Sequence, residues 1–215
     1  NNDTLVNPRF LAPLVRAALS DQKVGIVGPK VYYSDGQGRV LYCAGGRVIR
    51  ALGQPLMRGL GQVDRGQYDR QEKVGFISGC CLMIKREVIE KIGRLDENYF
   101  AFFEDLDWNV RAHQAGYQSM YVPSAVIWHR GSNTIGLKSP GYYFLHTRNR
   151  ILFAKKHSGF ISFWLLFIPY FLLYRYLWAT LSLSLQGRWS QIQAIHQGIL
   201  AAITGSARYL PRYSQ

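Results

Sequence analysis

Three short polar clusters in this chain carry residue types that can do chemistry: Asn1-Asn2-Asp3, Glu104-Asp105-Leu106-Asp107 and His129-Arg130-Gly131-Ser132. An Asp in a polar turn and a His at the end of a strand are hard or borderline ligands, suited to Mg2+ or Mn2+. An ion of that kind, bound to two phosphates, neutralises the charge that grows on a departing diphosphate. A carboxylate at the start of a helix can act as general base toward a hydroxyl. Each cluster also has a plainer reading. Acids in a first helical turn complement the helix dipole, a His after a strand can be structural, and Asp after two Asn can simply be a turn.

The elements that must position these clusters alternate in type. Residues 8–19 carry apolar positions at helical spacing, and 24–27 read as a short buried strand closed by Gly28-Pro29, with 31–33 as its possible continuation. A second strand is expected at 40–43. Residues 45–73 are rich in glycine and charge with poor periodicity, and read as a long mobile loop. The run 80–84 is expected to be a central strand and 85–92 a short helix stopped by Gly93. The acids at 104, 105 and 107 open a helix to about Ala115, capped by Gly116. Two strands, 118–122 and 125–128, flank Pro123. This alternation predicts an α/β fold with a mainly parallel sheet.

The charge is lopsided. The net charge is +13, and no Asp or Glu follows Asp107, while all five histidines do. Such asymmetry marks a surface that meets phosphate, on nucleic acid or on anionic lipid. The three cysteines have no metal-knuckle or redox spacing and read as small buried residues. Residues 160–174 are apolar except for Ser162 and Pro169, Arg175 interrupts, and 176–185 resume the run. A spanning helix, a re-entrant hairpin and a helix lying in the interface all fit. Arg148, Arg150, Lys155 and Lys156 stand just before it, where an anionic leaflet would attract them.

The order of these pieces carries a resemblance. The stretches NNDTLVNPRFLAPLV, VGIVGPKVYY, GFISGCCLMIKREVIEKIGRLDENYFAFFEDLDWNVRAHQAGY, YVPSAVIWHRGSNT and YYFLHTRNRILFAKKH together resemble the family 2 glycosyltransferases, in particular their rhamnosyltransferase-like branch. That resemblance implies a partial GT-A (Rossmann-like) domain over residues 1–157, followed by membrane-associated helices over 158–215. It implies Asp105 as catalytic base with Glu104 beside it, and Asp3 and His129 as ligands of Mg2+ or Mn2+. Asn1, standing where the family has its first acid, Ser132, Gly79 and Arg148 would face the donor and its diphosphate. For Arg148 membrane anchoring is an equal alternative, and for Gly79 the alternative is a bulge or tight packing. Asp107 and Trp108 would meet the acceptor, although Asp107 could merely cap the helix; Trp108 and Trp128 are equally candidates for the core.

The implied reaction is a single inverting displacement from a nucleoside-diphosphate-sugar to a saccharide or lipid-linked acceptor. It would take place on the cytoplasmic face of the cell membrane, in cell-surface polysaccharide synthesis, with rhamnosyl transfer favoured by the branch. The nucleotide-binding half is expected upstream of Asn1, so the chain alone is expected to be inactive. The rival readings are a non-catalytic, basic membrane-docking module, a metal-dependent hydrolase on the same carboxylates, and a nucleic-acid binder. No nucleic-acid motif is present and the basic residues flank an apolar run, so nucleic acid is not expected as a partner.

Overall fold

The computed structural model describes residues 3–34, 39–130 and 136–205, which form two compact units. The first comprises Asn1–Val48, Pro55–Asp96 and Asp105–Gly131, the second Ile49–Gln54, Glu97–Glu104 and Ser132–Gln215. The 157/158 boundary read from the sequence thus lies inside the second unit.

The strands are β1 (Thr4–Val6), β2 (Val24–Tyr33), β3 (Leu41–Cys43), β4 (Gly46–Ile49), β5 (Gln54–Met57), β6 (Glu72–Val74), β7 (Met83–Ile84) and β8 (Gln118–His129), all in the first unit except the end of β4 at Ile49 and the start of β5 at Gln54. β2 and β8, the two longest, pair in parallel, and the short strands β1, β3, β6 and β7 add to them antiparallel. β2 is buried along nearly its whole length, which explains why it reads as an unbroken VGIVGPKVYY run with no polar alternation. Helix α1 (Leu11–Leu19) covers one face, setting Leu14, Ala17 and Ala18 against Val24, Val27 and Val122. Helices α2 (Arg86–Ile92) and α3 (Glu104–Gln114) bring Val88 and Ala112 to the core cluster of Ile26, Ile77 and Tyr121. The α/β expectation therefore holds, with the parallel pairing concentrated in the two central strands.

Two local readings differ. Pro123 does not split a pair of strands: β8 runs through it, and its register with β2 jumps from Pro29↔Val122 to Lys30↔Val126. A bulge absorbs the proline, which has no N–H to give to the ladder. The run 80–84 supplies only the two-residue strand Met83–Ile84, while Cys80 packs with Cys43 and Val31. Burial pushes the Cys80 thiol up to about 12, so it behaves as a small apolar side chain.

The stretch 45–73 is more ordered than its composition suggests, because buried charge ties it to the sheet. Lys30, in the middle of β2, donates to Asp64 Oδ2 at 2.8 Å and also to Asp69, and the Tyr32 hydroxyl donates to Asp64 as well. Arg58 bonds Glu72 and the Ala44 carbonyl. Burial alone would raise the Asp64 carboxyl, but its bonds from Lys30, Tyr32 and the Gly66 N–H outweigh that and depress it. The stabilisation is thus present above the ordinary carboxylate pKa and is lost as pH falls through the depressed value. Asp64→Asn leaves Lys30 paired with the exposed Asp69 and strips a buried charged partner from it, and should cost about 1–3 kcal/mol. Urea unfolding at neutral pH checks the size, and the difference from wild type should shrink in strong acid.

The second unit is helical. Ser139 caps helix α4 (Pro140–His157), its hydroxyl accepting the Tyr142 N–H at 3.1 Å. The helix Trp189–Thr204 crosses it closely: a Cβ at Gly198 would lie 2.7 Å from the Phe144 carbonyl oxygen. Between them in sequence runs a 26-residue apolar helix, Phe160–Leu185, long and apolar enough to cross a membrane. At 1.5 Å per residue it measures about 39 Å, against a hydrocarbon core of about 30 Å. Phe167 and Phe171 pack with Ile151 and Ala154 of α4, while Leu165, Leu173, Leu177, Trp178 and Leu181 are exposed.

Candidate active site

Strand register creates the first part of the site. β1 pairs antiparallel with the end of β8, setting Thr4 opposite His129, and the Arg130 N–H bonds the Asp3 carbonyl. Asp3 is thereby carried beside the imidazole, its Oδ1 3.4 Å from His129 Nε2. That separation exceeds a good N–H···O bond and is comparable to the spacing of two ligands on one ion, each about 2.1 Å from it. The ring lies edge-on to Tyr42, centroids 4.7 Å apart, and Nδ1 is buried with no hydrogen-bond partner among the described residues. Burial lowers the His129 pKa, with Asp3 partly opposing, so the imidazole is neutral and keeps a lone pair to offer.

The fit to a divalent cation is that of half a coordination set. A carboxylate oxygen and a neutral imidazole are suitable donors, while among the described residues no three His, Cys, Asp or Glu side chains gather around one point. A hexacoordinate cation that takes its other ligands from phosphate and water suits such a pair. Asn1 and Ser132 lie outside the described residues.

The second part is the start of α3. The Asp105 carboxylate is half-buried and accepts the Gly79 N–H at 2.7 Å on Oδ2 and the Leu106 N–H at 2.8 Å on Oδ1. Burial raises its pKa, and the two N–H bonds only partly offset this. Sequence reasoning missed the strut that fixes the arrangement. Asn109, fully buried, donates to the carbonyls of Ile77 and Asp105 and accepts the Ile77 N–H, joining the loop that carries Gly79 to the helix that carries Asp105. Its signal was a polar residue one helical turn after Asp105, on a face otherwise turned to the core.

Tyr42 packs beside the first part. Its ring rests on His129, and its phenol, raised chiefly by burial, also feels the Cys80 and Cys43 thiols, Tyr33 and the Asp105 carboxylate. Asp3, His129 and Asp105 all belong to the first unit. A Cβ at Gly79 would sit 3.0 Å from Asp105 Cβ and 3.2 Å from Oδ2, so a side chain there requires the carboxylate to give by a few tenths of an ångström. Gly79→Ala should therefore push the carboxylate aside and lower turnover by about tenfold or more, with the thermal midpoint little changed. Steady-state kinetics and a melting curve on the same preparation separate the two effects.

Asp107, Trp108, Trp128 and Arg148 have partners elsewhere. Asp107 is fully buried and accepts Arg111 Nε at 2.7 Å, and Arg111 in turn bonds the Ile92 and Arg94 carbonyls. That is a helix-anchoring ion pair, and no face of the carboxylate is exposed to an acceptor. Trp108 donates Nε1–H to the Gly93 carbonyl at 2.9 Å, and half-buried Trp128 lies 6.4 Å from the Tyr32 ring. Glu104 and Arg148 belong to the second unit. There Arg148 is buried and donates to the Asn98 and Tyr99 carbonyls, while Asn149 donates to those of Tyr99, Ala101 and Phe102. The two side chains clamp a turn in which Phe100, Phe102 and Phe103 all have positive φ, a costly conformation for bulky residues. That turn leads directly into Glu104 and Asp105.

Residues 1–144 match the family described as "Glycosyltransferase like family 2". The chain belongs to the family 2 glycosyltransferases. Among curated glycosyltransferases, an N-acetylglucosaminyl-diphospho-decaprenol L-rhamnosyltransferase of Mycobacterium tuberculosis is 36% identical over 90 residues, covering 41% of this chain and 29% of that protein. A probable glycosyltransferase of Bacillus subtilis is 28% identical over 108 residues, 42% of this chain and 25% of its own length. A galactofuranosyltransferase of M. tuberculosis is 32% identical over 75 residues, 35% and 12% respectively. The chain thus spans less than a third of the length of each of these glycosyltransferases.

Proposed function

We propose that the chain supplies the acceptor-side chemistry of an enzyme that moves a sugar from a nucleoside-diphosphate donor onto a hydroxyl of a saccharide or lipid-linked acceptor. The observation that carries this reading is the Asp105 carboxylate: half-buried, raised by desolvation and held by the Gly79 and Leu106 N–H groups at the start of α3. Asp105 takes the proton of the acceptor hydroxyl as that oxygen bonds to the anomeric carbon and the bond from carbon to the diphosphate oxygen breaks, inverting the centre. Its two N–H bonds hold the lone pair toward the acceptor. Asp3 and His129 would hold Mg2+ or Mn2+, which when bound supplies positive charge to the departing diphosphate.

L-rhamnose is the first sugar to test, because the M. tuberculosis relative is named for its transfer to a diphospho-decaprenol acceptor. The exposed apolar helix Phe160–Leu185 favours work at a membrane surface, with polysaccharide synthesis on the cytoplasmic face as the setting. The experiment is a panel of labelled nucleoside-diphosphate sugars offered to the full-length protein with lipid-linked acceptors. Label should appear in the lipid fraction with one donor and disappear when the cation is chelated. Absence of transfer from every donor overturns the reading.

A further inference from the structure

The second unit contains a cavity that the proposed reaction does not use. It measures about 290 Å³, and its walls include Tyr142, His146 and Arg150 from α4 and Tyr174, Arg175 and Trp178 from the apolar helix. Two guanidinium groups face it and no carboxylate lines it.

Arg150 is buried, with its Nη1 spent on neutral acceptors, the Gly53 carbonyl at 2.6 Å and Gln54 Oε1 at 2.9 Å, and its guanidinium over the Phe103 ring. Burial and the neighbouring Arg175 lower its pKa to about 10, and only the Tyr170 and Tyr142 phenols oppose them. A buried cation without a counter-charge is costly. Arg175 is exposed among exposed Leu172, Leu173 and Leu177 and makes no hydrogen bond or ion pair among the described residues. A charge set in such an apolar face is expensive at a membrane and marks a partner. His146 adds no charge: burial, Arg150 and Arg175 bring it down to about 3.

The apolar helix is π-helical over two stretches, Phe163–Phe167 and Phe171–Leu177, and the second carries Phe171, Tyr174, Arg175 and Tyr176 of the lining. Segments of this kind are rare and concentrate at functional sites.

We propose that this cavity binds the phosphate of a membrane-lipid headgroup. The Arg150 and Arg175 forks hold the anion, the Tyr142 hydroxyl donates to it, and Tyr174 and Trp178 lie at headgroup depth. A lipid is favoured over a soluble phosphate because the walls that carry Arg175 continue outward into the exposed leucines. The assignment holds whether the helix spans the bilayer or lies in its surface, since an arginine at either depth reaches for phosphate.

The test is flotation of the full-length chain with phosphatidylcholine vesicles doped with phosphatidylglycerol, comparing Arg175→Gln with Lys155→Gln. Lys155 is an exposed α4 charge outside the cavity. A single diffuse surface charge is worth roughly fivefold in affinity. Lys155→Gln should lose no more than that, and Arg175→Gln about tenfold or more. Equal losses overturn the pocket. Arg175→Lys keeps the charge but drops the fork and should also fall below Lys155→Gln; wild-type binding by Arg175→Lys overturns the role of the fork. Calorimetry with inorganic phosphate separates the sources: saturable binding of the free ion that Arg175→Gln abolishes overturns the lipid assignment, and its absence supports it.

Discussion

Asp105→Asn should lower kcat/KM for sugar transfer about 10²–10⁴-fold while leaving the fold as stable as before, or slightly more so. The first figure is the usual contribution of a positioned general base. The second follows from burial. Because desolvation raises the Asp105 pKa, the folded protein prefers the protonated carboxyl. Its cost to stability is absent in acid and appears as pH rises through the folded value, so at neutral pH the wild type carries a cost that an uncharged amide removes. Against this, the amide can accept only one of the two N–H groups from Gly79 and Leu106, a loss of about 1 kcal/mol. The two terms nearly cancel. The same pKa shift sets the pH profile: the acid limb of wild-type kcat/KM should lie above the ordinary carboxylate value of about 4, and the residual activity of Asp105→Asn should lack that limb. Unchanged turnover would remove Asp105 from the reaction.

Local pattern made α1, α2 and α3 legible, because the apolar spacing of α1 and the acidic first turns and glycine stops of α2 and α3 act within one or two turns of chain. The polar clusters holding Asp3, Asp105 and His129 were visible as clusters, and their roles were implied by the family resemblance. Long-range partners were not legible. Nothing near Asp64 in sequence announces Lys30, 34 residues away, so the segment read as a mobile loop. Asp107 and Arg148 carry the charges of catalytic groups, but their partners, Arg111 in one unit and the Asn98–Tyr99 carbonyls in the other, are set by packing. Asn109, which ties the Gly79 loop to α3, and Tyr42, which packs against His129, have no motif value singly. They matter because β3, β8 and α3 converge, and convergence is a property of the sheet, not of any window of sequence.

His129→Ala and Asp3→Asn should each weaken Mn2+ binding by at least 10–100-fold, about 1.4–2.7 kcal/mol. The geometry argues that the two residues act as one unit. Asp3 Oδ1 and His129 Nε2 face each other across 3.4 Å, too far for a strong hydrogen bond and close enough for a shared ion. A merely structural pair would lose stability on substitution and leave cation binding untouched. A shared ligand pair would instead lose binding, and the double variant would fall little further than either single one, since removing either donor already opens the site. Asp3→Asn separates these cases best, because it keeps the shape of the side chain while withdrawing the charge that the cation requires. Titration of Mn2+ by electron paramagnetic resonance on the full-length protein measures this directly, without any assumption about donor or acceptor. Additive losses in the double variant would mean that the two side chains act at separate places, and the diphosphate would then need its counter-charge from elsewhere in the fold.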